Sequence, residues 1–267
     1  MLVEWRKWIK TIAISMSRYM AFKTDFFLML VAPSLVFIAI NYSIWYSVYR
    51  YRGGESVGGF SMEQMLNYQL WAFIAALLVR SHRTWNLSEH IRYGRITSFL
   101  LYPFDAWKFY ASEFIAFQIL QMGAAVVSLV CLELSGLLPP LDVRAFSLGI
   151  AFSLLASILW FVVDFTLGLF AFWLEEVWVF RAIFGLFAIL CSGAFIPLEL
   201  FPESMRRVLH FTPFPFLTSV PVNIFLGSES VSIVEATLTI CGWIIALSLI
   251  SVQIWRKGVR LYSAAGI

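Results

Sequence analysis

Few residues in this 267-residue chain could do chemistry, and the most conspicuous is an aspartate within an apolar stretch. Asp164 lies in the run Trp-Phe-Val-Val-Asp-Phe. A carboxylate in apolar surroundings is costly unless it finds a partner, is protonated or faces a polar path. The neighbouring predicted spans contain no obvious cation. We therefore expect Asp164 either to anchor the structure through hydrogen bonds, the favoured interpretation, or to line a pathway. Other polar or aromatic candidates for a pathway are Asn41, Asn67, Gln69 and Trp71.

The sequence lacks the motifs of enzymes that act alone. It contains no Gly-x-x-x-x-Gly-Lys-Ser/Thr loop for nucleotide phosphates, no Gly-x-Ser-x-Gly and no His-Glu-x-x-His. Its histidines, His82, His90 and His210, fall in predicted loops or interfacial segments. We therefore predict no catalytic residue and no metal or cofactor bound by this chain. Nothing in the sequence indicates a nucleic-acid partner.

The composition is that of a membrane protein. Hydrophobic residues make up 61% of the chain, charged residues 13%, and the mean hydropathy is +0.83. Soluble domains are roughly 45–50% apolar and about 25% charged. Aromatic residues, at 18%, are abundant enough to anchor many helix ends at a lipid–water boundary. The sequence therefore predicts an all-α membrane protein forming one domain over residues 1–267.

The apolar segments predict six transmembrane helices after an amphipathic N-terminal helix. Residues 1–23 repeat apolar side chains every three or four positions, typical of a helix lying in the interface; the alternative is a frayed leader. Lys and Arg concentrate in loops on the side of the N-terminus, so both termini are predicted to be cytoplasmic. The predicted spans, each near the length that crosses a bilayer, are Phe26–Tyr46, Phe60–Val79, Phe109–Leu132, Ala145–Trp173, Ala182–Leu198 and Ile233–Trp255.

The predicted inner loop, residues 80–108, is basic but also rich in apolar residues. Its stretch from Glu89 to Gly94 predicts a short helix, since glycine is common just after a helix C-terminus. Apolar residues beside charged ones are typical of a surface that docks a partner. The alternative is a helix lying flat on the lipid.

The predicted outer segment, residues 196–227, is too apolar for an ordinary loop and too proline-rich for a spanning helix. Irregular backbone at membrane depth persists only where protein or a water-filled cavity satisfies it. We therefore expect short broken helices that dip into the outer leaflet and cover whatever runs between the main helices. The alternative is a compact loop on the head groups.

Two motifs resemble those of type-2 exporter permeases of the ATP-binding-cassette superfamily, particularly a bacterial branch. The first is Ile91-Arg92-Tyr93-Gly94-Arg95-Ile96 followed by Leu100-Leu101-Tyr102-Pro103. The second and more specific is Ser192-Gly193-Ala194-Phe195-Ile196-Pro197-Leu198-Glu199-Leu200-Phe201-Pro202, with Pro213-Phe214-Pro215 and the stretch 221–227 after it. With six helices and the amphipathic N-terminus, the resemblance covers essentially the whole chain.

The resemblance implies a permease in a bacterial plasma (inner) membrane that pairs with a second copy or a sister permease. Two cytosolic ATPase subunits, holding ATP and magnesium, would dock beneath. The second and fifth spans would line the pathway, leaving Asp164 peripheral. Coupling to the ATPase would involve Glu89, Arg92, Tyr93, Gly94, Arg95, Leu101 and Pro103, and the gate would involve Phe195, Pro197, Phe201, Pro202, Pro213, Phe214, Pro215 and Pro221.

Two other function classes remain open from the sequence. A non-transporting scaffold or sensor would bind a partner other than an ATPase through the loop at residues 80–108. A membrane enzyme acting on lipid would need an active site, and the sequence motifs reveal none.

Overall fold

The protein is a bundle of helices in a computed structural model that describes residues 2–21, 23–80, 85–101, 104–137, 142–228 and 232–261. The α-helices of the described residues are α1 (Leu2–Ala21), α2 (Lys23–Tyr51), α3 (Met62–Val79), α4 (Trp85–Arg92), α5 (Ile96–Leu101), α6 (Ala106–Leu134), α7 (Val143–Leu169), α8 (Val177–Cys191), α9 (Glu203–His210), α10 (Ser219–Phe225) and α11 (Ile233–Leu261), with 3-10 turns at Phe170–Phe172, Leu198–Leu200 and Pro215–Leu217.

The helix positions agree with the predicted spans to within a few residues at most ends. Three helices among the described residues are long and apolar enough to cross a membrane: α6, α7 with its 3-10 extension, and α11. The fifth predicted span, Ala182–Leu198, is wrong in its bounds, because α8 begins at Val177 and ends at Cys191. The backbone turns at Gly193, which has a φ of 82°.

Helix α7 is the centre of the bundle and contacts α3, α4, α8, α10 and α11. We call the end of the bundle where α6 begins and α7 ends the lower end. There, Leu87 and Ile91 of α4 are buried against Leu169 of α7. The short helix predicted between Glu89 and Gly94 is therefore present, one turn earlier than expected, with its apolar side covered by α7.

Helix α3 ends halfway down the bundle instead of at its lower end. Arg80, which follows it, is extended, with φ −93° and ψ 110°. The last carbonyls of a helix need donors from outside it, and α6 supplies them. The side-chain amide of Gln118 donates to the carbonyl of Leu78, and that of Gln121 donates to the carbonyl of Arg80. Both glutamines lie near the middle of the 29-residue α6, so Arg80, which directly follows the predicted span end at Val79, lies well above the lower end of the bundle.

The N-terminal helix α1 packs along the first half of α6. Its Tyr19 ring lies 5.4 Å from the ring of Phe117, and its Arg18 pairs with the carboxylate of Glu113. Glu113 is buried to 2% exposure. The amphipathic helix of the sequence prediction is thus present, and its C-terminal half is held to α6 by an ion pair that the sequence reading did not anticipate.

Helix α10 is inserted between α3 and α7 because a glycine leaves room for it. The Phe225 ring stacks on Trp71 of α3, with centroids 4.5 Å apart, and lies over Gly149 of α7. A Cβ at Gly149 would come within 2.8 Å of three atoms of that ring. Part of the predicted outer segment is therefore packed into the bundle.

We expect Gly149→Ala to lower the free energy of unfolding by about 1–3 kcal/mol, because the added methyl would overpack the contact with Phe225. Gly123→Ala is the matched control, since Gly123 is also helical and its Cβ would meet nothing within 4 Å. That variant should gain up to about 1 kcal/mol from helix propensity. Unfolding of the two purified variants in mixed micelles measures the difference, and equal stabilities would contradict this account of α10.

Candidate functional site

The outward side of α4 carries the charged residues predicted to couple this chain to a partner. Glu89, Arg92 and Arg95 are exposed, and Arg92 forms an ion pair of 3.1 Å with Glu176, just before α8. Tyr93 is 62% exposed, and the guanidinium carbons of Arg92 and Arg95 lie 5.8 and 6.0 Å from its ring centroid. One side of α4 is thus fixed to α7, and the other presents an aromatic ring between two cations.

The turn after α4 places the remaining coupling residues. Gly94 adopts a φ of 75°, a left-handed conformation that glycine adopts readily, and α5 begins two residues later. Leu101 is the last residue of α5, and Pro103 lies outside the described residues. A cleft of about 420 Å³ lies between Ile91 and Arg92 on one side and residues 171–175 on the other.

The side chain of His90, in α4, is half-buried against Tyr110 and Phe99. Its Nδ1 lies 2.7 Å from the hydroxyl oxygen of Tyr110, and its ring is 5.6 Å from that of Phe99. Burial, together with the positive charges of Arg95 and Arg18, lowers the pKa of His90 below its usual value, although Glu89 acts in the opposite direction. The neutral imidazole is therefore the form that fits this packing.

We expect acidification to loosen α4 through His90. Because the folded pKa lies below the unfolded one, stability is complete above pH 6.5 and declines as the pH falls toward the folded value. Hydrogen exchange of residues 85–95 should rise between pH 7.5 and pH 5.5, after correction for the intrinsic pH dependence of exchange. His90→Gln should remove most of that rise. A variant that keeps the full rise would show that another group is responsible.

Asp164 has a cationic partner, contrary to the sequence expectation. The carboxylate Oδ1 lies 3.7 Å from Nε of Arg181, and Nη2 of Arg181 donates to the backbone carbonyl of Asp164 at 3.0 Å. Both side chains are at least nine-tenths buried. The prediction erred because it placed Arg181 in a loop before the fifth span, whereas Arg181 lies on the second turn of α8 and faces α7.

The ion pair lies directly beside α4. A Cβ at Gly168 would be 2.5 Å from Nη2 of Arg181 and 3.0 Å from Cδ2 of Leu87. Helices α4, α7 and α8 therefore meet at Gly168, where the atoms nearest to the added Cβ belong to Leu87 and Arg181. A displacement of α4 would reach the base of α8 through this contact.

The upper end of α8 is held by α3. The Tyr68 hydroxyl donates to the carbonyl of Gly193 at 2.9 Å, and the Gln69 amide donates to the carbonyl of Phe195 at 3.0 Å. The backbone N–H of Ser219, at the start of α10, donates to the carbonyl of Ser192 at 2.9 Å. These bonds satisfy the backbone where α8 stops, so α3, α8 and α10 form one connected unit.

The predicted gate residues divide into a packed set and an outer set. Pro197, Pro215 and Pro221 are buried, while Pro202 is exposed. The remaining four, which are partly exposed, are Phe195, Phe201, Pro213 and Phe214. The Phe195 ring lies 5.6 Å from that of Phe37 in α2, and the Phe214 ring lies 5.6 Å from that of Phe184 in α8. The segment is thus a series of short helices against the bundle, and its role as a gate stays a prediction.

The four predicted pathway residues make different contacts. Asn41 is buried and donates to the carbonyl of Phe37, one turn earlier in α2. Gln69 contacts the outer segment, and Trp71 is covered by Phe225. Asn67 is partly exposed.

The sequence analysis did not predict several buried polar residues that join the helices. Gln118 and Gln121 lie within an apolar helix, where a polar residue itself signals a partner. Arg181 was assigned to a loop because hydropathy alone placed the ends of the spans. Glu113 was missed because it follows closely on the predicted start of the third span.

Comparison with protein families gives one match: residues 24–266 match the model described as ABC-2 family transporter protein. A search of curated proteins finds no significant match. The family match covers all helices from α2 onward, including α4 and the broken segment after α8. The chain therefore belongs to the ABC-2 family of transporter proteins, as a membrane component built from helices.

Proposed function

We propose that this chain is the permease subunit of an ATP-driven exporter in a bacterial plasma membrane, with both termini cytoplasmic and six spans. Two copies, or this chain with a sister permease, would form the pathway between them. Two cytosolic ATPase subunits would bind and hydrolyse ATP. The observation that carries the proposal is the arrangement of α4, with its apolar side against α7 and its charged side exposed.

The mechanism follows from the contacts of α4. ATP binding would draw the ATPase subunits together and shift α4, to which they are docked. Leu87 would then press on the contact at Gly168 and move the base of α8. The top of α8 is bonded to Tyr68 and Ser219, so its movement would reach the segment at residues 196–227, which acts as the gate. Such a shift between two packings is the usual form of alternating access.

The test is co-purification of this chain with co-expressed cytosolic ATPase subunits from the same organism, followed by transport and ATPase assays in proteoliposomes. We expect Glu89→Ala with Arg92→Ala to lower transport at least tenfold while the helices stay folded. The matched control is Glu133→Ala with Arg144→Ala, which removes one exposed charge of each sign at the opposite end of the bundle. That variant should transport normally.

Three results would count against the proposal. If the double variant at α4 keeps full transport and full ATPase stimulation, α4 is not the coupling element. If the chain co-purifies with a protein that is not an ATPase, and none of its complexes transports, a scaffold or sensor role replaces the permease. Cleavage of ATP by the isolated chain would contradict the division of labour.

A further inference from the structure

A side-chain hydrogen bond between Arg80 and Ser192 links two helix ends halfway through the bundle. Helix α3 stops at Val79 and helix α8 at Cys191. Nη2 of Arg80 donates to Oγ of Ser192 at 3.2 Å. Transporters often place substrate sites at such breaks near the middle of the membrane, because interrupted helices bring polar groups to a depth that is otherwise apolar.

Arg80 differs from the other cations packed within the bundle. Arg181 pairs with Asp164, and Arg18 pairs with Glu113, whereas no carboxylate of the described residues forms an ion pair with Arg80. Its Nε is buried without a hydrogen-bond partner, and its guanidinium carbon lies 5.7 Å from the ring centroid of Trp160. An arginine keeps its charge in any protein environment, so this position holds an uncompensated cation.

The helix ends do not need the side chain of Arg80. The terminal carbonyls of α3 accept from Gln118 and Gln121. At the end of α8, the carbonyl of Ser192 accepts from Ser219 and that of Gly193 from Tyr68. A guanidinium serving only as a helix cap would duplicate these bonds. The residue as a whole is partly exposed.

We propose that Arg80 binds the anionic headgroup of an amphiphilic cargo, a carboxylate, phosphate or sulfate carried on an apolar tail. The guanidinium offers paired N–H donors that match such groups, while Trp160 supports its face. The tail would lie beside the apolar cluster next to Arg80, which includes Val79, Trp160 and Ala188. This inference rests on the proposed permease function and names its substrate class.

The test measures binding to the permease alone, in nanodiscs of phosphatidylcholine. The probe is cis-parinaric acid, which quenches tryptophan fluorescence by energy transfer, and its methyl ester is the uncharged comparison. We expect the wild-type chain to bind the acid at least tenfold more tightly than the ester. In Arg80→Gln, the affinity for the acid should fall to that for the ester. Arg50→Gln, which removes an exposed cation, should still bind the acid more tightly than the ester.

A second pair of variants keeps Arg80 in place. Ala76 lies one turn before Arg80, and the backbone N–H of Arg80 donates to its carbonyl. Ala76→Glu would set a carboxylate at the i, i+4 position, where it can pair with the guanidinium. We expect this variant to lose the preference for the acid, while Ala76→Gln, of equal size, retains it.

The outcomes separate the two proposals. Equal affinity of the wild-type chain for acid and ester, or a preference that survives both Arg80→Gln and Ala76→Glu, would overturn the anion site while leaving the permease untouched. Loss of acid binding when phosphatidylglycerol is added to the discs would assign Arg80 to a bilayer lipid instead of cargo. Anion binding by a chain that recruits no ATPase would overturn the permease alone.

Discussion

Arg181→Ala is expected to lower the free energy of unfolding by about 3–5 kcal/mol, because it leaves the Asp164 carboxylate buried without its cation. Both side chains of the pair are at least nine-tenths buried, so water cannot replace the lost partner. Asp164→Asn should be milder, since Nη2 of Arg181 keeps its bond to the backbone carbonyl of residue 164. Unfolding of the purified variants in mixed micelles, followed by circular dichroism, measures both effects.

Two further variants show whether the pair itself is responsible. The double variant Asp164→Asn with Arg181→Ala removes both charges and should recover much of the loss, giving a coupling energy of at least about 1 kcal/mol in a double-mutant cycle with the two single variants. Arg207→Ala breaks the exposed pair with Glu203 in α9 and should change stability by less than about 1 kcal/mol. Additive losses at positions 164 and 181 would show that the two side chains act independently.

The ion pair between Asp164 and Arg181 holds α7 and α8 in one relative position, and this matters for function. A buried ion pair is a weak source of net stability but tolerates few alternative geometries, so it holds the base of α8 in register with α7. Leu87 of α4 abuts the same point at Gly168. We therefore expect Arg181→Ala to weaken coupling between ATP hydrolysis and transport even in molecules that remain folded.

Hydropathy was sufficient to predict the helices but not where some of them stop. Helices α6, α7 and α11 follow from long apolar runs. Helix α8 was predicted to continue to Leu198 because residues 194–196 are apolar, whereas Gly193 ends it with a φ of 82°. Apolar composition reports burial in lipid or protein alike, so it does not distinguish a spanning helix from one that ends inside the bundle.

The side chains that join the helices were harder to predict, because their partners are distant in sequence. Arg181 and Asp164 are close enough in sequence to suggest a pair, but the loop assignment of Arg181 hid it. The bonds from Gln121 to Arg80 and from Tyr68 to Gly193 join residues 41 and 125 positions apart. Only the packing of α3 against α6, and of Tyr68 against the turn after α8, brings those residues together. By contrast, the exposed charges of α4 were predictable, since they lie on one short amphipathic helix.

The second large effect on stability is expected at Gly193, in the turn that follows α8. We expect Gly193→Ala to lower the free energy of unfolding by about 2–5 kcal/mol, from two causes that add. A left-handed backbone conformation costs a residue with a Cβ about 1–2 kcal/mol, and crowding adds about 1–3 kcal/mol. The new Cβ would lie 2.9 Å from the Tyr68 hydroxyl and 3.1 Å from Cβ of Ser219. Thermal unfolding in detergent gives the total, and hydrogen exchange of residues 196–227 shows whether the loss is local.

Matched variants separate the two causes. Gly136 has a φ of 70° and open space around its Cβ position, so Gly136→Ala should show only the backbone cost. The excess at Gly193 is the crowding, and it should fall when Tyr68→Phe is added, because the nearest atom to the new methyl is then absent. Equal losses at positions 136 and 193 would mean that Tyr68 and Ser219 yield freely, and that α3 does not hold the end of α8. A large excess relieved by Tyr68→Phe would identify Gly193 as the point where α3 restrains the outer segment, since the same hydroxyl that crowds the methyl also bonds the carbonyl of that residue.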